Sequence, residues 1–248
     1  MASLKQLMRQ NHELRSAIIA NLAEQGIYAH PDNRIWPVLY LAKHVLGLNE
    51  SIELLVQRGL GREACILVRS MFEATVSVMW IALDPARRLQ RYADYQTISA
   101  RKYRDVQRRL GQAPTYSAAQ AHEYDRLAEE AKRRHGFKSG ENWSGKTVKK
   151  MAEEIGWLDR YEAGYRLYSE ILHAGVSGAG EFITQNGKGV TFFNPSTKFR
   201  YDSLCIIEAY TYLAATFSFV DTLAELGMHE LMDKAMADVK HLLDSQRD

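Results

Sequence analysis

The chain has 248 residues, 46% hydrophobic and 25% charged, enough apolar material to fill the core of one large domain or two small ones. A formal charge of +2, from 32 basic and 30 acidic residues, excludes a whole-molecule field of the kind that draws in nucleic acid or membrane surfaces. Two cysteines, Cys65 and Cys205, imply no disulfide framework; both lie in apolar runs where a thiol acts as a small buried hydrophobe.

The opening residues MASLKQLMRQNHELRS lack the uninterrupted apolar stretch of a signal peptide. No window reaches the roughly 18 to 20 consecutive apolar residues of a membrane span, so a cytoplasmic protein without a membrane partner is expected. Ser3 can cap a first helix whose Leu4, Leu7, Met8, Leu14, Ile18 and Leu22 recur near the helical period, with Gly26 as its stop. A second helix starts near Trp36 and Pro37 and runs to Gly59. The third, roughly Arg62 to Leu83, is apolar on nearly every side and should be central.

Asp84 and Pro85 open a long basic helix that stops at Gly111, and Ser117 with Gln120 makes a capping box for a polar fifth helix. A short helix, TVKKMAEEIG, and a longer one from about Leu158 to His173 follow. Strand character is confined to residues 181–194, where a small β-hairpin could turn at Asn186 and Gly187. Two closing helices, about Tyr201 to Leu226 and Met228 to Leu243, pack on the rest. The fold class expected is all-α, a single-domain multi-helix bundle spanning residues 1–248.

Charge is unevenly spread. Between Pro85 and Lys150, sixteen Lys and Arg stand against seven Asp and Glu, leaving that segment at +9 and the remainder at −7. In the basic helix Tyr92, Tyr95 and Tyr103 interleave with Arg91 and Arg101, a pattern that suits RNA or DNA if arginines hold phosphates while rings stack on bases. The same pattern also describes a solvated helix whose tyrosines pack on neighbours.

Residues 140–147, GENWSGKT, fit the phosphate-loop pattern G-x-x-x-x-G-K-[ST]. That loop must follow a buried strand, whereas AEEAKRRHGFKS before Gly140 is charged and helical, so nucleotide hydrolysis is not expected. Lys146 and its neighbours could still attract a small anion at the start of a helix. The runs RSMFEATVSVMWIALDP, NWSGKTVKKMAEEIG and YRLYSEILHAG, in this order, resemble an all-helical bacterial family of unknown function. Its central motif, Trp-x-Gly before a Met-Ala helix, is matched by Trp143, Gly145, Met151 and Ala152 over a resemblance of about residues 40–215. A fainter resemblance is to HEPN proteins, helical bundles that include metal-independent ribonucleases. Their arginine and histidine, separated by four to six residues, would be Arg166 and His173, and the polar residue after that arginine is Leu167 here.

Arg69 and Glu73 stand four apart in the most apolar helix, so they share a face and are expected to be a buried pair, structural or pocket-lining. Tyr165, Ser169 and His173 recur every fourth residue, with Arg166 beside them, and Leu167, Tyr168, Ile171 and Leu172 take the other side. If that polar face meets Arg69 and Glu73, His173 could move a proton near neutral pH while an arginine steadies a phosphate. Glu170 and His173 form one Glu-x-x-His, too few ligands for a metal site, and no cofactor is expected. The expected catalytic set is His173, Arg166, Ser169, Arg69 and Glu73; the expected binding set is Tyr165, Trp143, Lys146, Arg91, Tyr92 and Arg101. Two functions stand open: a HEPN-like RNA-directed protein of bacterial defence or toxin type, acting as a metal-independent ribonuclease, or a non-catalytic helical module for a small anion, a nucleotide or a protein. A homodimer is compatible with either.

Overall fold

Helix α3 (Gly61–Ala82) is apolar almost all round, and the computed structural model accordingly surrounds it with other helices. The structure describes residues 3–24, 33–113, 115–173, 183–185, 191–193 and 201–244. Helices α2 (Trp36–Gln57) and α9 (Asp202–Ala224) pack along α3 and on each other; α1 (Leu4–Glu24) lies chiefly on α9, and α10 (His229–Asp244) covers it from outside. Cys65, Val68, Met71, Phe72, Val76, Val78 and Ile81 of α3 are fully buried in this core. Helices α3 and α9 are long and apolar enough to cross a membrane by length and composition, and in the bundle most of each is covered by neighbours.

Helix α4 (Pro85–Arg109) leaves this bundle and pairs with α5 (Ala118–His135) as an antiparallel arm. The arm has its own small apolar centre of Ile98, Ala128, Ala131 and Phe137, with Tyr95 against it. So small a centre stabilises little by burial, and the arm is laced instead by ion pairs joining Arg101 and Arg104 of α4 to Asp125 and Glu129 of α5. The capping box holds: Gln120 N–H donates to Ser117 Oγ at 3.3 Å and Ser117 N–H to Gln120 Oε1 at 2.9 Å.

The chain returns to α3 through α6 (Val148–Glu154), capped by Thr147, whose Oγ1 accepts the Lys150 N–H at 3.2 Å. The stretch expected as one helix from Leu158 to His173 is helical throughout and contains a π turn (Tyr161–Tyr165) between α7 (Leu158–Arg160) and α8 (Arg166–Leu172). The π turn puts Gly164 against the core, where an added Cβ would stand 3.6 to 3.8 Å from Tyr168, Tyr212 and Glu208. It also stacks the rings of Tyr161 and Tyr165, with centroids 4.9 Å apart. Wider turns of this kind accommodate one residue more than the α period, which hydrophobic spacing does not signal.

Two three-residue strands, β1 (Ile183–Gln185) and β2 (Thr191–Phe193), pair antiparallel with Ile183 opposite Phe193 and Gln185 opposite Thr191. The expected turn at Asn186 and Gly187 lies outside the described residues. The fold class is all-α.

Between α1, α2 and α9 sits a buried polar network that the periodicity did not announce. Arg15 Nη1 donates to Glu53 Oε2 at 2.8 Å and to Asn49 Oδ1 at 2.7 Å, while Asn11 and Asn49 exchange amide hydrogen bonds at 3.1 and 2.7 Å. Asn49 also reaches the Ala209 carbonyl at 3.2 Å, tying both helices to α9. Buried polar groups are costly unless paired, and here each partner satisfies another.

Candidate anion-binding site

The proposed catalytic residues separate on folding. Tyr165 alone joins α8's side to Arg69 and Glu73: Arg69 Nη2 donates to the Tyr165 hydroxyl at 2.9 Å, and that hydroxyl donates to Glu73 Oε1 at 2.7 Å. Burial and the Glu73 carboxylate push the Tyr165 pKa up to about 12, so it stays a neutral phenol that relays a hydrogen bond between the two charges. Arg69 and Glu73 are 3.4 Å apart, but their side chains are 22% and 42% exposed, which corrects the expectation of an enclosed pair. The π turn and α8 pack on α3 beside them.

Arg166 is exposed and turned to Glu162, 2.7 Å away. Ser169 Oγ donates to the Tyr165 carbonyl at 2.8 Å, a bond within its own helix. His173 caps the exposed end of α8, with its N–H on the carbonyl of Ser169. Among the described residues no contact joins His173 or Arg166 to Arg69. The face that meets the core is Gly164, Tyr165, Tyr168 and Ile171, so Tyr165 belongs with the buried side and not with Arg166 and His173. Glu170 is exposed as well, and among the described residues no group of three or more His, Cys, Asp or Glu could hold a metal ion.

The proposed binding residues converge more closely. Trp143 packs edge-on against Trp80 and Tyr92, with centroids 5.5 and 4.8 Å away, and its carbonyl accepts Arg91 Nε–H at 2.8 Å. Arg91 also donates to the His135 carbonyl at 2.8 Å and lies over the Phe137 ring, so one guanidinium ties α4 to the loop 136–147. Burial lowers its pKa, opposed by the Glu141 carboxylate and reinforced by the nearby Arg87. Lys146 Nζ is bound to Glu154, whose other oxygen accepts Trp80 Nε1–H at 2.7 Å.

The octapeptide is therefore a self-satisfied loop. Asn142 Oδ1 accepts the Gly145 N–H at 2.9 Å, and Ser144 Oγ accepts the Lys146 N–H at 3.0 Å. These are the backbone donors a phosphate loop would turn on its ligand. Gly145 has φ +70°, which favours glycine, and a Cβ there would press on Arg91 Nη2 at 3.0 Å.

What the loop and α4 enclose is a cleft of about 430 Å³ lined by Arg87, Arg88, Arg91, Lys138 and Lys146, with Glu141 the one carboxylate among the described residues on its wall and Trp80 at its side. Among the described residues the Arg87 side chain and the Lys138 ammonium make no hydrogen bond or ion pair. The Arg88 guanidinium lies 3.7 Å from the Trp80 ring centroid and donates to the Trp80 carbonyl. Cations crowded in this way repel one another, and an anion between them would relieve the repulsion.

Tyr92 and Arg101 do not join the cleft as ligand contacts. Tyr92 packs on Trp36 and Trp143 and its pKa is pushed up to about 12 by burial; Arg101 is held by Asp125 and Glu129. Sequence reasoning missed Arg87, Arg88 and Lys138, for which the local excess of positive charge was the available signal. The ring of His135, the last residue of α5, lies mostly buried 2.8 Å from Asp94.

The sequence model of a family of unknown function (DUF5677) matches residues 36–190, starting earlier and stopping sooner than the resemblance over about 40–215. No curated protein and no solved structure matches the chain. The matched span includes α2 to α8 and with them the whole cleft, and the chain belongs to this all-helical family of unknown function, DUF5677.

Proposed function

We propose that the protein is a non-catalytic helical module that binds a small phosphate-bearing anion in the cleft between α4 and the loop 136–147. The observation that carries this reading is the convergence of five cationic side chains on a cleft whose wall carries one carboxylate among the described residues. A volume of about 430 Å³ lies within the range of small-molecule sites. Arg87 and Lys138 supply charges not already used by the fold, while Arg91 and Arg88 are fixed by backbone carbonyls and so are preorganised. The site works through side chains; α6 is too short for its N-terminus to act as the anion holder.

Metal-independent RNA cleavage is the rival. It requires His173 and Arg166 to act on one phosphate, and the pairing of Arg166 with Glu162 and the exposed position of His173 lend it no support. One set of assays separates the two. Titration calorimetry with pyrophosphate on wild type and Arg87→Glu reads binding, and incubation with RNA in EDTA, comparing wild type with His173→Ala, reads cleavage. Pyrophosphate binding lost in Arg87→Glu, with no RNA cleavage, is the expected result. His173-dependent cleavage without pyrophosphate binding would replace this reading by its rival.

A further inference from the structure

Helix α2 presents a second helix-length stripe away from the core. Tyr40, Gly47 and Leu54 recur at intervals of seven residues and are all exposed, Tyr40 at 57% and Leu54 at 53%. A seven-residue spacing is that of a seam between two helices, and among the described residues nothing covers this one. Ile66 of α3 and Leu60 of the α2–α3 turn add exposed apolar surface at 37% and 44%. Around Gly47 the surface is hollow: a groove of about 440 Å³ is bounded by Tyr40, Leu48 and Leu67, with Lys43 and His44 at its edge. A Cβ at Gly47 would meet nothing within 4 Å.

The stripe is self-complementary in charge. Lys43 and His44 stand one turn before Gly47, Glu50 one turn after it, and all three are exposed. Among the described residues none of the three makes an ion pair or side-chain hydrogen bond. If a second copy of α2 crosses antiparallel with Gly47 on the two-fold axis, Tyr40 falls opposite the partner's Leu54. Lys43 then falls within one residue of the level of the partner's Glu50, on the same flank of the seam, and this pairing occurs twice by symmetry. The missing side chain at Gly47 lets the two backbones approach where they cross, as small residues do in close helix pairs.

We propose that this face of α2 is the interface of a homodimer, formed by two antiparallel copies of α2 crossing at Gly47. Isologous contact is the commonest way for a soluble chain to cover such a surface, and opposed charges on both sides of the axis fix its register. The interface lies on α2 and α3 and shares no lining residue with the cationic cleft, so it stands whether or not the anion-binding reading does.

Sedimentation velocity on the full chain over a wide concentration range tests this. Wild type is expected to sediment as a dimer. Gly47→Gln fills the axis and is expected to be a folded monomer with the helical content of wild type, because its side chain enters open space in the single chain and glutamine is the better helix former. Lys43→Glu opposes two carboxylates across the interface and should weaken the dimer about tenfold or more, and adding Glu50→Lys should restore it. A wild type that stays monomeric at every concentration overturns the proposal. So does a dimer that survives Gly47→Gln, or a double charge exchange that fails to recover what the single one lost.

Discussion

Arg91 Nε donates to the carbonyl of Trp143 at 2.8 Å, and through that bond the basic helix α4 holds the loop that carries Trp143 and Gly145. The same guanidinium would stand 3.0 Å from a Cβ at Gly145, tighter than an ordinary contact. Gly145→Ala should therefore cost about 1 to 2 kcal/mol from its left-handed conformation alone. It should also displace Arg91. Thermal denaturation reads the first effect; weakened anion binding in a still-folded protein reads the second.

Arg69, Tyr165 and Glu73 form a chain of hydrogen bonds whose two charged ends reach solvent, so its removal should be mild. Arg69→Ala and Tyr165→Phe are each expected to lower stability by roughly 1 kcal/mol, the scale of a hydrogen bond that water can replace. Denaturant titration would show it. A loss of the size found for stranded buried charges would mean that the pair is enclosed after all.

The network at Arg15 behaves differently, because both side chains of its ion pair are 8% exposed. Glu53→Ala strands Arg15 among α1, α2 and α9 and should cost about 3 to 5 kcal/mol. In a chain of this length that lowers Tm by on the order of 10 °C. Arg15→Met together with Glu53→Leu should recover part of the loss, since it removes both charges and keeps the packing.

Glu208 gives stability a pH dependence. It is buried beside Tyr168 and Tyr212, with Arg160 at 3.7 Å, and burial raises its pKa above the usual carboxylate value against the opposing pull of Tyr212 and Arg160. The folded state thus keeps a proton that the unfolded chain releases. This contribution to stability is fully present below the unfolded glutamate pKa and is lost as pH rises through the folded one. Glu208→Gln, which cannot ionise, should flatten that part of the stability profile and raise stability near neutral pH. A profile identical to wild type would place a charged Glu208 in the native core.

Most helices were legible because their caps and periodicity agree. Gly59 and Gly111 end α2 and α4 near the expected points, and Ser117 with Gln120 starts α5 as its capping box requires. Three features were not legible, each for a physical reason. The π turn at Tyr161–Tyr165 changes which residues share a face, so Tyr165 was grouped with Arg166 and His173 although it packs inward. The Asn11, Arg15, Asn49 and Glu53 network joins residues 34 to 42 positions apart, where a polar residue on a helix face reads as solvent-exposed until the partner helix is known. Arg87 and Lys138 meet across the cleft only because the arm folds back, although the +9 segment announced that cations would crowd somewhere between Pro85 and Lys150.

The central claim is that the cleft holds a phosphate-bearing anion, and calorimetric titration of the purified chain with pyrophosphate, repeated with rising salt, tests it most directly. The account predicts saturable one-site binding that weakens with salt and drops about tenfold or more in Arg87→Ala and in Lys138→Ala, whose side chains carry no structural bonds. Both variants should melt like wild type. Binding that is absent in wild type, or unchanged in both variants, would contradict it.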